Sequence, residues 1–324
     1  MRRYVPISIA ILVWAWTGIF VKILKDAGFD PFTQNLYRYA AATVVLLVLA
    51  RLKNPSGFRR ARRSPWVFAL TGLAMAGFQT LWVLGMYRVE PAFAGIIGNS
   101  DLLLIMLIAL FFADERRLVC DVRFAAALLV GLAAVVAFIA LAPRAAVERA
   151  GGRGSLLLGS GLVLAGSGVW VVFAYLTKWL VRGHGAMVLF SFSAVFATLF
   201  LLVVALIAQG AGAGGAGLGH IFHVSWPFLL LLVGSGILNV GVCQALFQHS
   251  VRLLGVTLTR GLELVIPLLT ALFSYLVRGE RLSGWQWACG LVLLICVGYL
   301  TVLGNRLAGG AAAAGPDVEP EPGG

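Results

Sequence analysis

The sequence predicts an all-α integral membrane protein with ten transmembrane helices arranged as two inverted five-helix repeats. Three observations predict it. Of the 324 residues, 60% are hydrophobic and 12% are charged, about half the charged share of an ordinary soluble domain. Apolar runs of about 20 residues, long enough to cross ~30 Å of hydrocarbon, recur along nearly the whole chain. The second half of the chain also repeats polar landmarks of the first in the same order.

Taken in order, the runs place spans at 4–24, 32–51, 65–87, 91–112, 122–142, 156–180, 185–208, 225–249, 255–277 and 284–304. The N-terminal "MRRYVPISIAILVWAWTGIF" starts basic and has no small-x-small cleavage site, which predicts a retained first helix. Pro6, Pro31, Pro65, Pro91 and Pro227 stand at span starts, where a missing N–H costs little. The connections are too short for a soluble catalytic domain, and no GxxxxGK[ST] phosphate loop occurs. That excludes an ATP-driven pump or a kinase within this chain.

The net charge of +12 is concentrated in "RLKNPSGFRRARR" at 51–63, between two spans. Such a loop faces anionic lipid headgroups, and the pattern argues against nucleic acid as a partner. Cys120, Cys243, Cys289 and Cys296 lack paired spacing and read as packing residues. His220 and His223 form an HxxH with no acidic or cysteine neighbour, so no metal or other cofactor is expected. The end of the chain, "AGGAAAAGPDVEPEPGG", is low in complexity and predicts a disordered tail over 308–324.

With the N-terminus inside, the cytoplasmic segments hold 15 Lys and Arg residues and the outer loops 8. This bias predicts both termini in the cytoplasm. The repeat is read from a shift of 165, which places Gln79 on Gln244, Leu103 and Leu104 on Leu268 and Leu269, and Glu115–Arg116 on Glu280–Arg281. Nearer the N-terminus a shift of 156 pairs Trp14 with Trp170 and Lys22 with Lys178, and the loop "QGAGAGGAGLGH" accounts for the difference. The repeats occupy 1–150 and 151–307. Each contains an odd number of spans, so the second must enter the membrane upside down, as in secondary transporters.

Several of these residues resemble the EamA-like proteins of the drug/metabolite transporter superfamily. The resemblance rests on "RGERLSGWQWACG" at 278–290, on its weaker counterpart "ADERRLVCDVR" at 113–123, on Trp14, and on Arg38 in "NLYRY". It implies ten spans, both termini inside, and a central cavity lined by the first, third, fourth, sixth, eighth and ninth helices. It also implies a permease of the cytoplasmic membrane, an exporter of small organic solutes such as amino acids or metabolites.

Charge inside a bilayer costs roughly 2.5–3.5 kcal/mol on insertion scales, so Arg38, Asp101, Arg260 and Glu263 each need a reason. In the ninth span Arg260, Glu263, Pro267, Thr270 and Ser274 fall on one helical face. Pro267 frees the carbonyl of Glu263, which predicts that this stripe faces the protein interior or water. Gln79 and Trp82 in the third span, Gln244 and Gln248 in the eighth, and Trp14 and Trp170 offer matching aromatic and amide groups. The candidate substrate-binding set is therefore Trp14, Gln79, Trp82, Asp101, Trp170, Gln244, Arg260 and Glu263. For the aromatics packing is the alternative role, and for the glutamines interhelical hydrogen bonding. For Asp101 and Glu263 the alternative is a structural ion pair with Arg260 or Arg38. Gly159, Gly161, Gly166 and Gly168 permit close packing or bending of the sixth span. An intramembrane enzyme and a non-transporting assembly or sensor subunit stand as alternative functions. The spans carry no HExxH or Ser-His signature to favour the former. Asp101 is the preferred proton carrier should transport be proton-coupled, because no charged residue lies within four positions of it.

Overall fold

A computed structural model describes residues 2–63, 65–101, 103–104, 122–213, 215, 217–254, 259 and 262–313. The described elements are helical, with no strand among them. They are α1 (Val5–Ala15), α2 (Thr17–Asp26), α3 (Pro31–Lys53), α4 (Pro55–Ala61), α5 (Pro65–Met86), α6 (Pro91–Gly98) and α7 (Val122–Ala140), followed by the short α8 (Arg144–Arg149). The second half holds α9 (Arg153–His184), α10 (Ala186–Gly210), α11 (Trp226–Ser235), a π-helical segment (Gly236–Val242), α12 (Cys243–Leu254), α13 (Ile266–Arg278) and α14 (Gly284–Ala313).

Among the described residues, eight helical stretches are long and apolar enough to cross a membrane, from Val5–Asp26 to Gly284–Leu303. They match eight of the ten expected spans within a few residues. The protein is thus a multi-pass integral membrane protein. Its outer faces agree: Val44, Leu129, Ile207, Leu276 and Ile295 are exposed, as suits side chains that lipid would cover. Trp66, Trp226 and Trp285 stand exposed at the starts of α5, α11 and α14, where amphipathic indoles suit a headgroup region. Helix starts follow local chemistry. Asp30 caps α3 by accepting the Phe32 and Thr33 N–H groups, both at 2.9 Å, with Pro31 opening the helix. The last helix runs to Ala313, past the expected end at 304 and into the expected tail; residues 314–324 lie outside the described ones.

The expected fourth and ninth spans look different. α6 ends at Gly98 and a turn follows at Asn99–Ser100; a second turn at Leu264–Val265 precedes α13. The shift of 165 that aligns the repeats carries one break onto the other. Their causes differ. In the first, Asn99 Nδ2 donates to the Gly95 carbonyl at 2.9 Å and the Ser100 hydroxyl to the Ile97 carbonyl, side chains competing with the helical ladder. In the second, Pro267 sits in the first turn of α13, where its missing N–H is tolerated. The predicted inward stripe holds for Pro267, Thr270 and Ser274, all buried. Val265 and Leu276 face outward.

The helices pack in a regular set of pairs: α5 on α9, α1 on α12, α3 on α10, α6 on α13 and α7 on α14. Glycine decides how close the first pair comes. A Cβ on Gly85 would stand 2.7 Å from Val163 Cγ2, and one on Gly159 2.7 Å from Arg88 Cβ, so these two positions admit no side chain without movement. Gly161 and Gly168 of the same helix have open space beside them.

Candidate functional site

A cavity of about 380 Å³ lies between the two halves of the chain, a size suited to a small organic molecule. The first half supplies Trp14 and Thr17 from the α1–α2 span, Arg38 and Tyr39 from α3, and Met75, Phe78, Gln79 and Trp82 from α5. The second supplies Trp170, Phe173, Ala174 and Thr177 from α9, Phe190, Asn239, Val240, Gln244 and Phe247, and Glu263 and Ile266 at the second break. Trp14, Gln79, Trp82, Trp170, Gln244 and Glu263, all expected at a binding site, therefore line one cavity. The repeat-related pairs Trp14/Trp170 and Gln79/Gln244 converge on it. Asp101 does not line this cavity; it is half-buried and opens the helical turn after the first break. Arg260, Glu115 and Arg116 lie outside the described residues, as do the side chains of Lys178 and Gln248.

The wall is largely aromatic. Trp170 packs on Phe78 and Phe173 with ring centroids 4.8 and 5.0 Å apart, and Trp14 leans on Phe247 at 5.7 Å. Trp82 covers Gly98 at the first break, where any Cβ would collide with its ring. Gln79 is committed between helices: its amide donates to Asn35 Oδ1 at 3.2 Å, and its backbone carbonyl accepts from Asn35 Nδ2 at 3.1 Å.

Two lining residues with buried polar atoms that lack a partner, Arg38 and Asn239, were not in the expected binding set. Arg38 is 1% exposed, and its Nε and Nη1 are buried without a hydrogen-bond partner. Among the described residues no carboxylate stands within ion-pairing distance of it. Asn239, in the π-helical segment, is fixed on one side only. Its carbonyl accepts the Trp14 indole N–H at 3.1 Å, its Oδ1 accepts the Thr17 hydroxyl at 2.6 Å, and its Nδ2 is buried with no acceptor. The π turn that places it lies against α3, since a Cβ on Gly236 would run into the Arg38 backbone. Such turns often mark functional positions. A signal for Asn239 existed in the sequence: it is a lone amide in "GSGILNVGV", an otherwise apolar and small-residue run.

A second polar cluster ties helix ends together at one end of the bundle. Glu90 pairs with Lys22 at 3.8 Å and with Arg278 at 3.3 Å, and Arg278 reaches Asp26 at 2.8 Å. Glu280, 6% exposed, accepts the Ala92 and Phe93 N–H groups at 3.0 and 3.2 Å and also accepts the Ser274 hydroxyl. The "GERL" carboxylate thus caps the N-terminus of α6, where backbone donors and the helix dipole favour an anion. Burial nevertheless holds its carboxyl above the ordinary glutamate range. His220 serves packing at this end, edge-on to Phe29 and 3.0 Å from the Ala27 carbonyl.

Comparison with known proteins agrees with this arrangement of two halves around a cavity. The model of the EamA-like transporter family matches twice, over residues 4–142 and 157–303. The chain belongs to the EamA-like transporter family. It is therefore a member of the drug/metabolite transporter superfamily, with one family match in each half of the chain. Among curated proteins, an "Uncharacterized transporter" of Haemophilus influenzae is 21% identical over 298 residues, spanning 86% of this chain and 91% of its own. One crystal structure shares the fold with a TM-score of 0.56 at 22% identity, covering 94% of this chain and 98% of its own.

Proposed function

We propose that this EamA-family protein is a secondary transporter that carries a small organic solute across the cytoplasmic membrane by alternating access, working as an exporter with both termini in the cytoplasm. The observation that carries the reading is the central cavity, walled by repeat-related residues of both halves and bordered by Glu263 and Ile266 at the second helix break. Discontinuous helices near a repeat interface are where transporters of several folds bind their cargo.

The packing supports an inverted repeat. Exchanging each helix with its repeat partner turns the α5–α9 pair into the α12–α1 pair, while α3–α10, α6–α13 and α7–α14 map onto themselves. A bundle with that exchange symmetry has two related packings available, one open to each side. In this reading the ionic cluster around Glu90 and Arg278, which ties helix ends together, is the gate at one end of the cavity. Proton coupling, where it operates, runs through Asp101, which sits at the first break; the competing role for Asp101 and for Glu263 is a structural ion pair.

The test is flux in proteoliposomes against a panel of labelled amino acids, amines and carboxylates, with and without an imposed pH gradient. Flux of at least one solute above protein-free vesicles is expected, and its absence across the panel defeats the transport reading. Gradient-driven accumulation that survives in Asp101→Asn defeats the proton assignment. For orientation, labels at 51–63 and in the C-terminal tail are expected on the cytoplasmic side and one at 210–219 outside; a shared side for the tail and the 210–219 loop defeats the inverted repeat.

A further inference from the structure

The polar groups of the cavity are unequal in one respect: buried donors outnumber the acceptors that meet them. Arg38 presents Nε and Nη1, and Asn239 presents Nδ2, three buried N–H groups of cavity-lining residues without acceptors. Leaving such groups unmet costs stability, and more for the charged guanidinium than for the amide. The fold does not avoid the cost, because Gly236 brings the π turn that holds Asn239 directly against the Arg38 backbone. Around these donors stand the rings of Trp14, Phe78, Trp170, Phe173 and Phe247, and Glu263 is the carboxylate among the lining residues.

We propose that Arg38 and Asn239 form an anion-binding end of the cavity, and that the transported solute is an organic carboxylate with an aromatic or bulky apolar body. The proposal rests on the transport reading above and narrows it. A planar guanidinium presents paired N–H groups that match the two oxygens of a carboxylate, and the Asn239 amide adds a third donor. One arginine neutralises one charge. A carboxylate monoanion matches that single charge, whereas a phosphate dianion would bring a second negative charge that Arg38 does not meet. The aromatic rings take the body of the solute, and water leaving them adds to affinity.

The test varies the head group and holds the body constant. Binding of 3-phenylpropanoate, 3-phenylpropanamide and 3-phenylpropan-1-amine to the purified full-length protein is followed by tryptophan fluorescence, since Trp14, Trp82 and Trp170 line the site. The carboxylate is expected to bind about tenfold or more tightly than the amide and the amine, the size of a hydrogen-bonded charge contact. In Arg38→Gln that preference should vanish with the melting temperature unchanged or raised; in Arg38→Lys, which keeps the charge without the fork, it should shrink and persist. A structural arginine behaves otherwise: Arg38→Gln would melt earlier and the surviving protein would keep the wild-type preference. Equal or tighter binding of the amine or amide by the wild type overturns the proposal whatever the variants do, as does failure of all three to bind. Flux of another solute in the proteoliposome panel would leave the transport reading standing in either case.

Discussion

Two sets of charged side chains in this protein are treated in opposite ways, one partly exposed at the end of the bundle and one buried in its middle. At one end of the bundle Lys22, Asp26, Glu90 and Arg278 meet one another, and Glu280 meets two backbone N–H groups and a hydroxyl. In the cavity, Arg38 is buried as deeply as any of them and its Nε and Nη1 meet nothing. Charge removed from water is tolerated when partners replace the water. The first set shows that this chain can supply such partners at helix ends. Their absence around Arg38 is thus a property of that place, and a place that withholds partners from a charge is suited to a ligand that brings them.

The largest effect should come from breaking the satisfied end. Glu280→Ala would leave the Ala92 and Phe93 N–H groups and the Ser274 hydroxyl without their acceptor. Leaving a buried donor without its acceptor costs about 1–3 kcal/mol for each such group, so the variant should show loss of folded protein and a lower melting temperature. Glu280→Gln keeps one carbonyl oxygen as acceptor and should lose less. If Glu280→Ala melts with the wild type, the cap does not hold α6.

Arg38→Met should move the other way. Replacing an uncompensated buried charge by an apolar side chain of similar length is neutral or stabilising by about 1–4 kcal/mol. Thermal unfolding in the absence of solute should show an equal or higher midpoint, and a clear drop would mean that Arg38 has a structural partner after all.

The difference between the two sets also explains what could be read in the sequence. Eight spans were legible because apolar length is a local property, and the repeat was legible because Gln79/Gln244 and Trp14/Trp170 keep their order. The wall positions of Trp14, Gln79, Trp82, Trp170, Gln244 and Glu263 followed from the repeat and from helical phase. Arg38 was visible as an intramembrane charge, but whether it had a partner depends on contacts between α3, α5 and the π turn, which no local pattern encodes. Asn239 is similar: its role comes from a π turn that neither its neighbours' apolar period nor its own propensity announces. Asp101 shows the limit of the repeat as a guide to position. Its depth matches the repeat, yet it sits just beyond the Asn99–Ser100 break, away from the cavity lining.

A smaller effect should come from loosening the ionic end without emptying it. In Glu90→Gln, Arg278 keeps Asp26 at 2.8 Å, while the Lys22 ammonium loses the carboxylate 3.8 Å away. Hydrogen bonds to charged groups contribute about 1.5–3 kcal/mol, and part of that loss should appear as a shift toward the packing open at this end. Val89, 3% exposed beside Glu90, can report it. A cysteine at position 89, in a background without Cys120, Cys243, Cys289 and Cys296, should react several-fold faster with an impermeant maleimide when Glu90→Gln is added. Unchanged labelling would mean that the cluster holds helices together without governing access.

The smallest effect concerns how completely the Glu280 charge is met. Its hydrogen bonds favour the carboxylate, whereas burial, the larger influence, and nearby Glu90 favour the neutral acid, so its carboxyl lies above the ordinary value of 4.5 in the folded protein. The folded state therefore keeps a proton that the unfolded chain releases. Stability from this group is fully present below 4.5 and is lost as pH rises through the folded value. Glu280→Gln cannot titrate, so the wild-type melting temperature minus that of Glu280→Gln should decline as pH rises from 4.5, within a range where both remain folded. If that difference instead grows with pH, the N–H and hydroxyl donors outweigh burial and the Glu280 charge is more than compensated. The contrast with Arg38 would then be sharper still, with one anion over-satisfied at the end of the bundle and one cation left for the solute in its middle.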